Sequence, residues 1–241
     1  LKIVRNLAQN DPLKIAKYTI DYNAPESCYL DDLCSFLREN LDKGIVALQL
    51  LSQLTQAGEF FFDFLRKYNV LFEVRNAIQN PIKNDDEEHK MENMIKYNQL
   101  VNESLLFYLN WMKNSGSFQS YLFDNLCHFD IARICEDIQY QVKVTLMDVL
   151  LYLSANAQPI QLHSLLTESL LYMLVANLDE SQIEMCKNIL SFINDIIGRC
   201  STDVELLSKI ANIFADVAFD NSELQAGFAQ LDHSLKTALD T

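Results

Sequence analysis

The chain has 241 residues, of which 33 are acidic and 19 basic, so its formal net charge is −14. This balance argues against nucleic-acid binding, which needs Lys and Arg gathered on one face. Only 5 Gly and 4 Pro are present, too few for an all-β sandwich or barrel or for a glycine-rich phosphate-binding loop. The composition favours long helices, with a hydrophobic fraction of 49% available to form a core.

The expected location follows from the cysteines and the apolar stretches. The six cysteines include no C-x-x-C pair and lie in apolar contexts, which is typical of reduced thiols in an intracellular protein. No apolar stretch approaches the ~20 residues that a membrane helix requires. We expect a cytoplasmic protein without membrane insertion, and a nuclear location stays open. Because the chain starts at Leu1, we also expect it to be a fragment of a longer protein.

The first predicted element is a helix that begins at Asp11-Pro12. Asp is a good N-cap, and Pro favours the first helical position. Pro25 ends this helix, and residues 1–25 are interpreted as an N-terminal cap.

An apolar pattern at i, i+3, i+7 then recurs five times, each time predicting one buried helix face. The triplets are Leu30/Leu33/Leu37, Leu71/Val74/Ile78, Ile131/Ile134/Ile138, Leu171/Leu174/Leu178 and Ile210/Ile213/Val217. Their last members are 41, 60, 40 and 39 residues apart. The chain therefore has a period of about 40 residues, lengthened once by about 20.

Each period contains a long helix, a short helix and a helix that carries an apolar triplet. The predicted ranges are 44–56, 59–67 and 71–78; 98–113, 117–125 and 130–139; 141–155, 160–167 and 169–177; 182–198, 203–208 and 209–219. This order and period resemble the armadillo repeat. The resemblance implies an all-α protein: a right-handed α-solenoid of about four to five three-helix repeats, forming a single domain over residues 1–241.

The insertion falls in residues 80–93, where the helical pattern is lost. Pro81 ends the preceding helix, and four consecutive acids keep the segment solvated. These acids are candidates for docking a basic partner segment: Asp85, Asp86, Glu87 and Glu88. The alternative is a solvated connection with no function of its own.

The last predicted helix, in residues 222–241, is interpreted as a C-terminal cap. Five apolar residues share one of its faces: Leu224, Phe228, Leu231, Leu235 and Leu239. Polar residues occupy the opposite face, as expected where a solenoid ends.

The sequence contains no group of residues that indicates catalysis. No nucleophile elbow, Walker loop or dinucleotide-binding turn is present. The histidines are scattered along the chain at His89, His128, His163 and His233, whereas a zinc site needs four convergent ligands. We therefore predict no enzyme activity, no cofactor and no metal.

The armadillo resemblance also indicates where a partner would bind. In the nuclear-import adaptors of that family, each long helix carries a Trp and an Asn four residues apart in a concave groove. The corresponding pairs here are Gln49/Gln53, Leu106/Asn110, Leu151/Ala155 and Ser191/Asp195. Only Asn110 matches, so that mode of recognising nuclear-localisation peptides is not expected.

The positions next to these pairs predict an aromatic strip along the groove. Its members are Phe107, Tyr152 and Phe192, bordered by Gln49, Gln53, Asn110, Asp148, Asn156 and Asp195. Aromatic residues with polar edges are typical of protein interfaces. The alternative is that the three rings pack between helices as ordinary core.

The predicted function is a non-enzymatic scaffold or adaptor that binds a partner peptide or helix on its concave face. The acidic charge favours a basic or amphipathic partner segment. Two alternatives stay open: a regulator of an enzyme partner, such as an Hsp70 nucleotide-exchange or small-GTPase regulatory factor, and a structural subunit of a cytoskeletal or signalling assembly. The identity of the partner and the oligomeric state are not predicted.

Overall fold

A computed structural model describes residues 9–19, 29–79, 90–124 and 140–240. Every regular element in these ranges is helical, with 13 α-helices, two short 3₁₀ turns and no strand. The expected all-α class is confirmed for these residues. They form two compact units, one containing the described residues up to Val149 and the other those from Leu150 onward. A single domain and a solenoid of repeats stay predictions.

The first unit contains seven helices and the beginning of an eighth. In chain order they are α1 (Pro12–Thr19), α2 (Tyr29–Glu39), α3 (Leu41–Leu54), α4 (Glu59–Lys67), α5 (Val70–Gln79), α6 (Lys90–Asn114), α7 (Gly116–Asp124) and α8 (Tyr140–Ala155), the last as far as Val149. Helix α3 packs against α2 and α6, and α6 also contacts α5 and α7. Gly58 lies between α3 and α4 and has a φ of +69°. Residues other than glycine rarely adopt this backbone conformation.

The second unit begins with the last turns of α8 and contains five further helices. They are α9 (Pro159–Leu165), α10 (Glu168–Ala176), α11 (Ile183–Arg199), α12 (Val204–Phe214) and α13 (Ser222–Leu239). Helix α13 packs against α11 and α12, and α12 also contacts α10. Within the described ranges, no helix is both long enough and apolar enough to cross a membrane.

Capping side chains determine where several helices begin. The Asp11 carboxylate accepts a hydrogen bond from the Lys14 N–H at 3.0 Å, which confirms the predicted start at Asp11-Pro12. The same type of bond opens four other helices, with the acceptors Asn40, Thr167, Asp203 and Asn221. Each cap satisfies a backbone N–H that has no partner inside its helix.

Nine of the twelve triplet residues in the described ranges are buried, and the other three, Leu178, Ile213 and Val217, are partly exposed. Those on α2 and α5 are buried at all three positions, and Leu171, Leu174 and Ile210 are fully buried in the second unit. The triplet at 131–138 lies outside the described residues. On α13, Leu224, Leu231 and Leu235 are buried, which confirms most of the predicted apolar face.

Two predicted boundaries are wrong. The insertion was expected to run to residue 93 and the next long helix to begin at residue 98, but α6 already begins at Lys90. The ranges 203–208 and 209–219 were expected as two helices, but α12 continues from Val204 to Phe214 without a break. No glycine or proline occurs from Val204 to Phe214, so nothing in this stretch stops the helix.

An aromatic cluster forms part of the core of the first unit. Trp111 of α6 is fully buried, with its ring centroid 5.2 Å from that of Phe62 and 5.3 Å from that of Phe118. The rings of Phe61 and Phe107 pack 6.3 and 6.1 Å away. These contacts join α4, α6 and α7 through one side chain.

Replacing this side chain should destabilise the protein strongly. We expect Trp111→Ala to lower the free energy of unfolding by about 3–5 kcal/mol, because it leaves a large cavity. Trp111→Phe should cost clearly less, since it keeps a ring and removes an indole N–H that no described residue accepts. Urea denaturation followed by circular dichroism measures both, because the variants lose the only tryptophan. Equal losses for the two variants would contradict this account of the cluster.

Glu59 links the start of α4 to the start of α7. Its carboxylate accepts hydrogen bonds from the Ser117 and Ser115 hydroxyls at 2.6 and 2.9 Å and from the Ser117 N–H at 3.3 Å. The bond from the Ser117 hydroxyl is the main reason that the pKa of Glu59 lies below its ordinary value of 4.5. The ionised form is therefore favoured in the folded state.

This shift predicts a pH-dependent contribution to stability. A carboxyl group with a lowered pKa stabilises the fold above its unfolded value of 4.5 and loses that effect as the pH falls through its folded pKa. We expect Glu59→Gln to cost about 1 kcal/mol at pH 7, and the difference from wild type should shrink below pH 4.5. The control is Asp63→Asn, on an exposed position of the same helix, which should leave the free energy of unfolding nearly unchanged at pH 7 in urea denaturation.

Candidate functional site

The two longest helices of the first unit bond to each other along a polar seam. The Gln49 amide donates to the Glu103 carboxylate at 2.7 Å, and the Asn110 amide donates to the Ser52 hydroxyl at 2.6 Å. The partners advance in the same order along α3 and α6, so these helices run parallel. Gln49 and Asn110, both predicted to border a groove, contribute to this seam.

The other predicted border residues have different environments. Gln53 is half-buried, and its side-chain oxygen accepts no hydrogen bond from the residues that the structure describes. Asp148 is exposed on α8, and Asn156 is exposed in the turn that follows this helix. The acidic candidates Asp85, Asp86, Glu87 and Glu88 lie outside the described residues.

The predicted aromatic strip is wrong at two of its three positions. Phe107 is fully buried and packs against Trp111, and Phe192 is only 1% exposed. Tyr152 is half-buried. Phe107 and Phe192 follow directly after Leu106 and Ser191, and neighbouring residues on a helix point about 100° apart. Those two aromatic residues therefore belong to the core, as the alternative interpretation proposed.

The second unit has an open cleft of about 450 Å³ between the end of α8 and the middle of α11. We call it the α8–α11 cleft. It is lined by Leu151, Ser154, Ala155, Ser191, Phe192, Asp195 and Arg199. Four of these residues form the pairs Leu151/Ala155 and Ser191/Asp195. In the sequence analysis, these two pairs corresponded to the groove positions of the armadillo adaptors.

Arg199 is one of the residues that line this cleft. Its guanidinium donates to the Ser154 carbonyl at 2.6 Å, to the Ala157 carbonyl, and to the Asp195 carboxylate at 3.3 Å. The two carbonyls lie at the C-terminal end of α8, where backbone acceptors have no helical partner. Arg199 therefore ties the end of α8 to the end of α11 and keeps the cleft walls in place.

A second cleft, of about 230 Å³, lies between α11 and α13. We call it the α11–α13 cleft, and it shares Ser191 with the first. Lys187 and Glu223 line it, and their charged groups are 2.6 Å apart. The hydrogen bond from Lys187 keeps the pKa of the Glu223 carboxyl below its ordinary value of 4.5.

No protein-family model matches this chain, and no curated protein matches it. The armadillo resemblance therefore rests on the period and on the order of the helices. Within the described ranges, no group of three or more His, Cys, Asp or Glu side chains is placed to hold a metal ion.

Sequence reasoning found part of these clefts and missed the rest. Asp195 was a predicted site residue and lines the first cleft. Arg199, Lys187 and Glu223 were missed, because single charged residues on a helix are usually solvated. For Arg199, the sequence did contain a signal. This residue lies four positions after Asp195 and near the end of a long helix, where a cation can bond free carbonyls.

The role of Arg199 predicts a loss of stability when it is removed. We expect Arg199→Ala to lower the free energy of unfolding by about 1–3 kcal/mol, because the two carbonyls lose a charged donor. The control is Lys236→Ala, whose ion pair with Asp232 is largely exposed and should be worth less than about 0.5 kcal/mol. Equal losses in urea denaturation would show that Arg199 does not tie the two helices.

Proposed function

We propose that this chain is a non-enzymatic interaction scaffold, an armadillo-like α-solenoid whose α8–α11 cleft binds an extended segment of a partner protein. The residues that line this cleft are the main support for the proposal. Four of its seven lining residues are the ones that align with the peptide groove of armadillo adaptors: Leu151, Ala155, Ser191 and Asp195. Small side chains at two of these positions leave room for a backbone to approach.

Hydrogen bonds between helices support the repeat. In the first unit, the Gln49–Glu103 and Ser52–Asn110 bonds join residues 54 and 58 positions apart. In the second unit, the imidazole of His163 bonds the Asp203 carboxylate across 40 positions, and Arg199 reaches Ser154 across 45. These separations follow the periods of the sequence, which are about 60 residues across the insertion and about 40 elsewhere.

The charge of the long-helix surface favours a basic partner. Lys187 is 43% exposed, whereas its carboxylate partners Glu184 and Glu223 are 83% and 66% exposed. In the first unit, Lys96 is similarly more covered than Asp42 and Glu92, the two acids that it bonds. The cations are engaged and the carboxylates face solvent, so the surface attracts Lys and Arg.

The spacing of the helices indicates how long the bound segment is. Packed helices lie about 8–10 Å apart, and an extended chain advances about 3.3 Å per residue. A segment that crosses from α8 over α11 to α13 therefore needs about six residues. Main-chain groups of such a segment can bond the exposed Ser191 hydroxyl and the Asp195 carboxylate.

The test is a peptide selection against the whole chain and two variants. We expect a library of random extended peptides to yield binders that lose at least tenfold in affinity with Ala155→Trp, because this bulky ring fills the α8–α11 cleft. The control is Ala229→Trp, an exposed α13 position outside both clefts, which should leave affinity unchanged. A library that yields no binder, or binders indifferent to Ala155→Trp, would overturn the proposal.

A further inference from the structure

The first two turns of α6 expose a group of apolar side chains. Met91, Met94 and Ile95 are 74%, 48% and 51% exposed, and their i, i+3, i+4 spacing places them on one face of the helix. We call these three residues the α6 patch. Each other helix in the described ranges exposes at most one large apolar side chain. Single exposed apolar residues are ordinary, whereas a contiguous group is typical of an interaction site.

The α6 patch continues a face of the helix that is buried further along. Asn98 and Leu105 lie seven and fourteen residues after Met91, on nearly the same face, and they are 2% and 0% exposed. Lys96 bonds Asp42 in the first turn of α3. Because α3 and α6 run parallel, the residues before Lys96 extend past the start of α3. The α6 patch is therefore a core-type face that the described helices leave uncovered.

Acidic residues border the α6 patch. Lys96 bonds the carboxylates of Asp42 and Glu92 at 3.0 and 2.8 Å, and its side chain is 29% exposed whereas theirs are 65% and 57% exposed. Residues 80–96 contain five acids and three lysines, a net charge of −2. This surface attracts a cationic partner. The same charge disfavours a second copy of this chain, whose formal charge is −14.

A helix is the partner that fits the α6 patch. An extended segment would place its N–H and C=O groups over apolar side chains that cannot bond them. A helix bonds these groups internally. Its side chains three and four residues apart form ridges, which pack between the ridges of another helix.

We infer that the α6 patch binds an amphipathic helix of a partner protein, with apolar residues against Met91, Met94 and Ile95 and with Lys or Arg facing Glu92 and Asp42. This inference goes beyond the proposed function. The patch lies in the first unit, shares no residue with the α8–α11 cleft, and takes a helix instead of an extended segment. Each of the two binding modes stands or falls without the other.

The test is a selection of displayed helical peptides against the whole chain. One face of the peptides varies among Leu, Ile, Met and Phe, and the positions beside it carry Lys or Glu at equal frequency. We expect the enriched peptides to favour Lys over Glu at least tenfold and to shift the methyl NMR signals of Met91, Met94 and Ile95 saturably. No enrichment, equal use of Lys and Glu, or shifts confined to other residues would overturn the inference.

A matched pair of variants tests the apolar contacts. Met94→Gln combined with Ile95→Gln should weaken the selected peptide at least tenfold and leave the unfolding midpoint nearly unchanged, because both side chains are exposed. The control is Tyr172→Gln, which removes an exposed ring from α10 and should leave affinity unchanged. Wild-type affinity in the double variant would exclude the α6 patch as the binding site.

A second pair tests the charge and the choice of partner. Glu92→Gln should reduce the preference for Lys over Glu, whereas Glu184→Gln, at an 83% exposed position of α11, changes the net charge equally and should not. Equal effects would show that the overall charge selects the peptide, which contradicts the inference. Sedimentation of the chain alone should show a monomer. A dimer that Met94→Gln with Ile95→Gln abolishes would overturn the inference, because a second copy would then cover the patch.

Discussion

Parallel packing of long helices is the constraint on which each unit depends. In the first unit α3 lies beside α6, and in the second α11 lies beside α13, with Lys187 bonded to Glu223 and Leu190 next to Gly227. Two parallel helices cannot be joined by a tight turn, so the chain must return between them through further helices. The shorter helices that lie between the two members of each pair in the sequence connect the end of one long helix to the start of the next. They also bury their own apolar faces.

The polar edges of these pairs determine what the surface offers to a partner. Between α3 and α6, amide and hydroxyl groups bond to one another across the seam, as Asn110 does with Ser52. Around α11, the neighbouring helices leave open clefts lined by Ala155, Ser191 and Gly227. These small residues coincide with the clefts, so the second unit has space for another chain there.

Periodicity allowed most of the described helices to be predicted but not their exact orientation. A helix such as α4 was located to the residue, because apolar spacing, Gly58 and the following polar residues all agree. The predicted strip placed Phe192 on the exposed surface of its helix, but the exposed residue is Ser191. This error of one position corresponds to about 100° of rotation about the helix axis. A helix buried on two sides has apolar residues over a wide arc, so the pattern alone does not locate its exposed edge. The bond from Arg199 to the Ser154 carbonyl joins residues 45 positions apart, and no local pattern encodes it.

The clefts also have an energetic cost that the fold alone does not explain. Glycine inside a helix is about 1 kcal/mol less stable than alanine, and an additional methyl at Gly227 would make an ordinary contact with Leu190. A buried acceptor without a partner, as on Asn194, costs roughly 1–3 kcal/mol more. Both residues line the same cleft, and single substitutions could remove either feature. Stability that is forgone beside a cleft is more typical of a binding site than of a structural core.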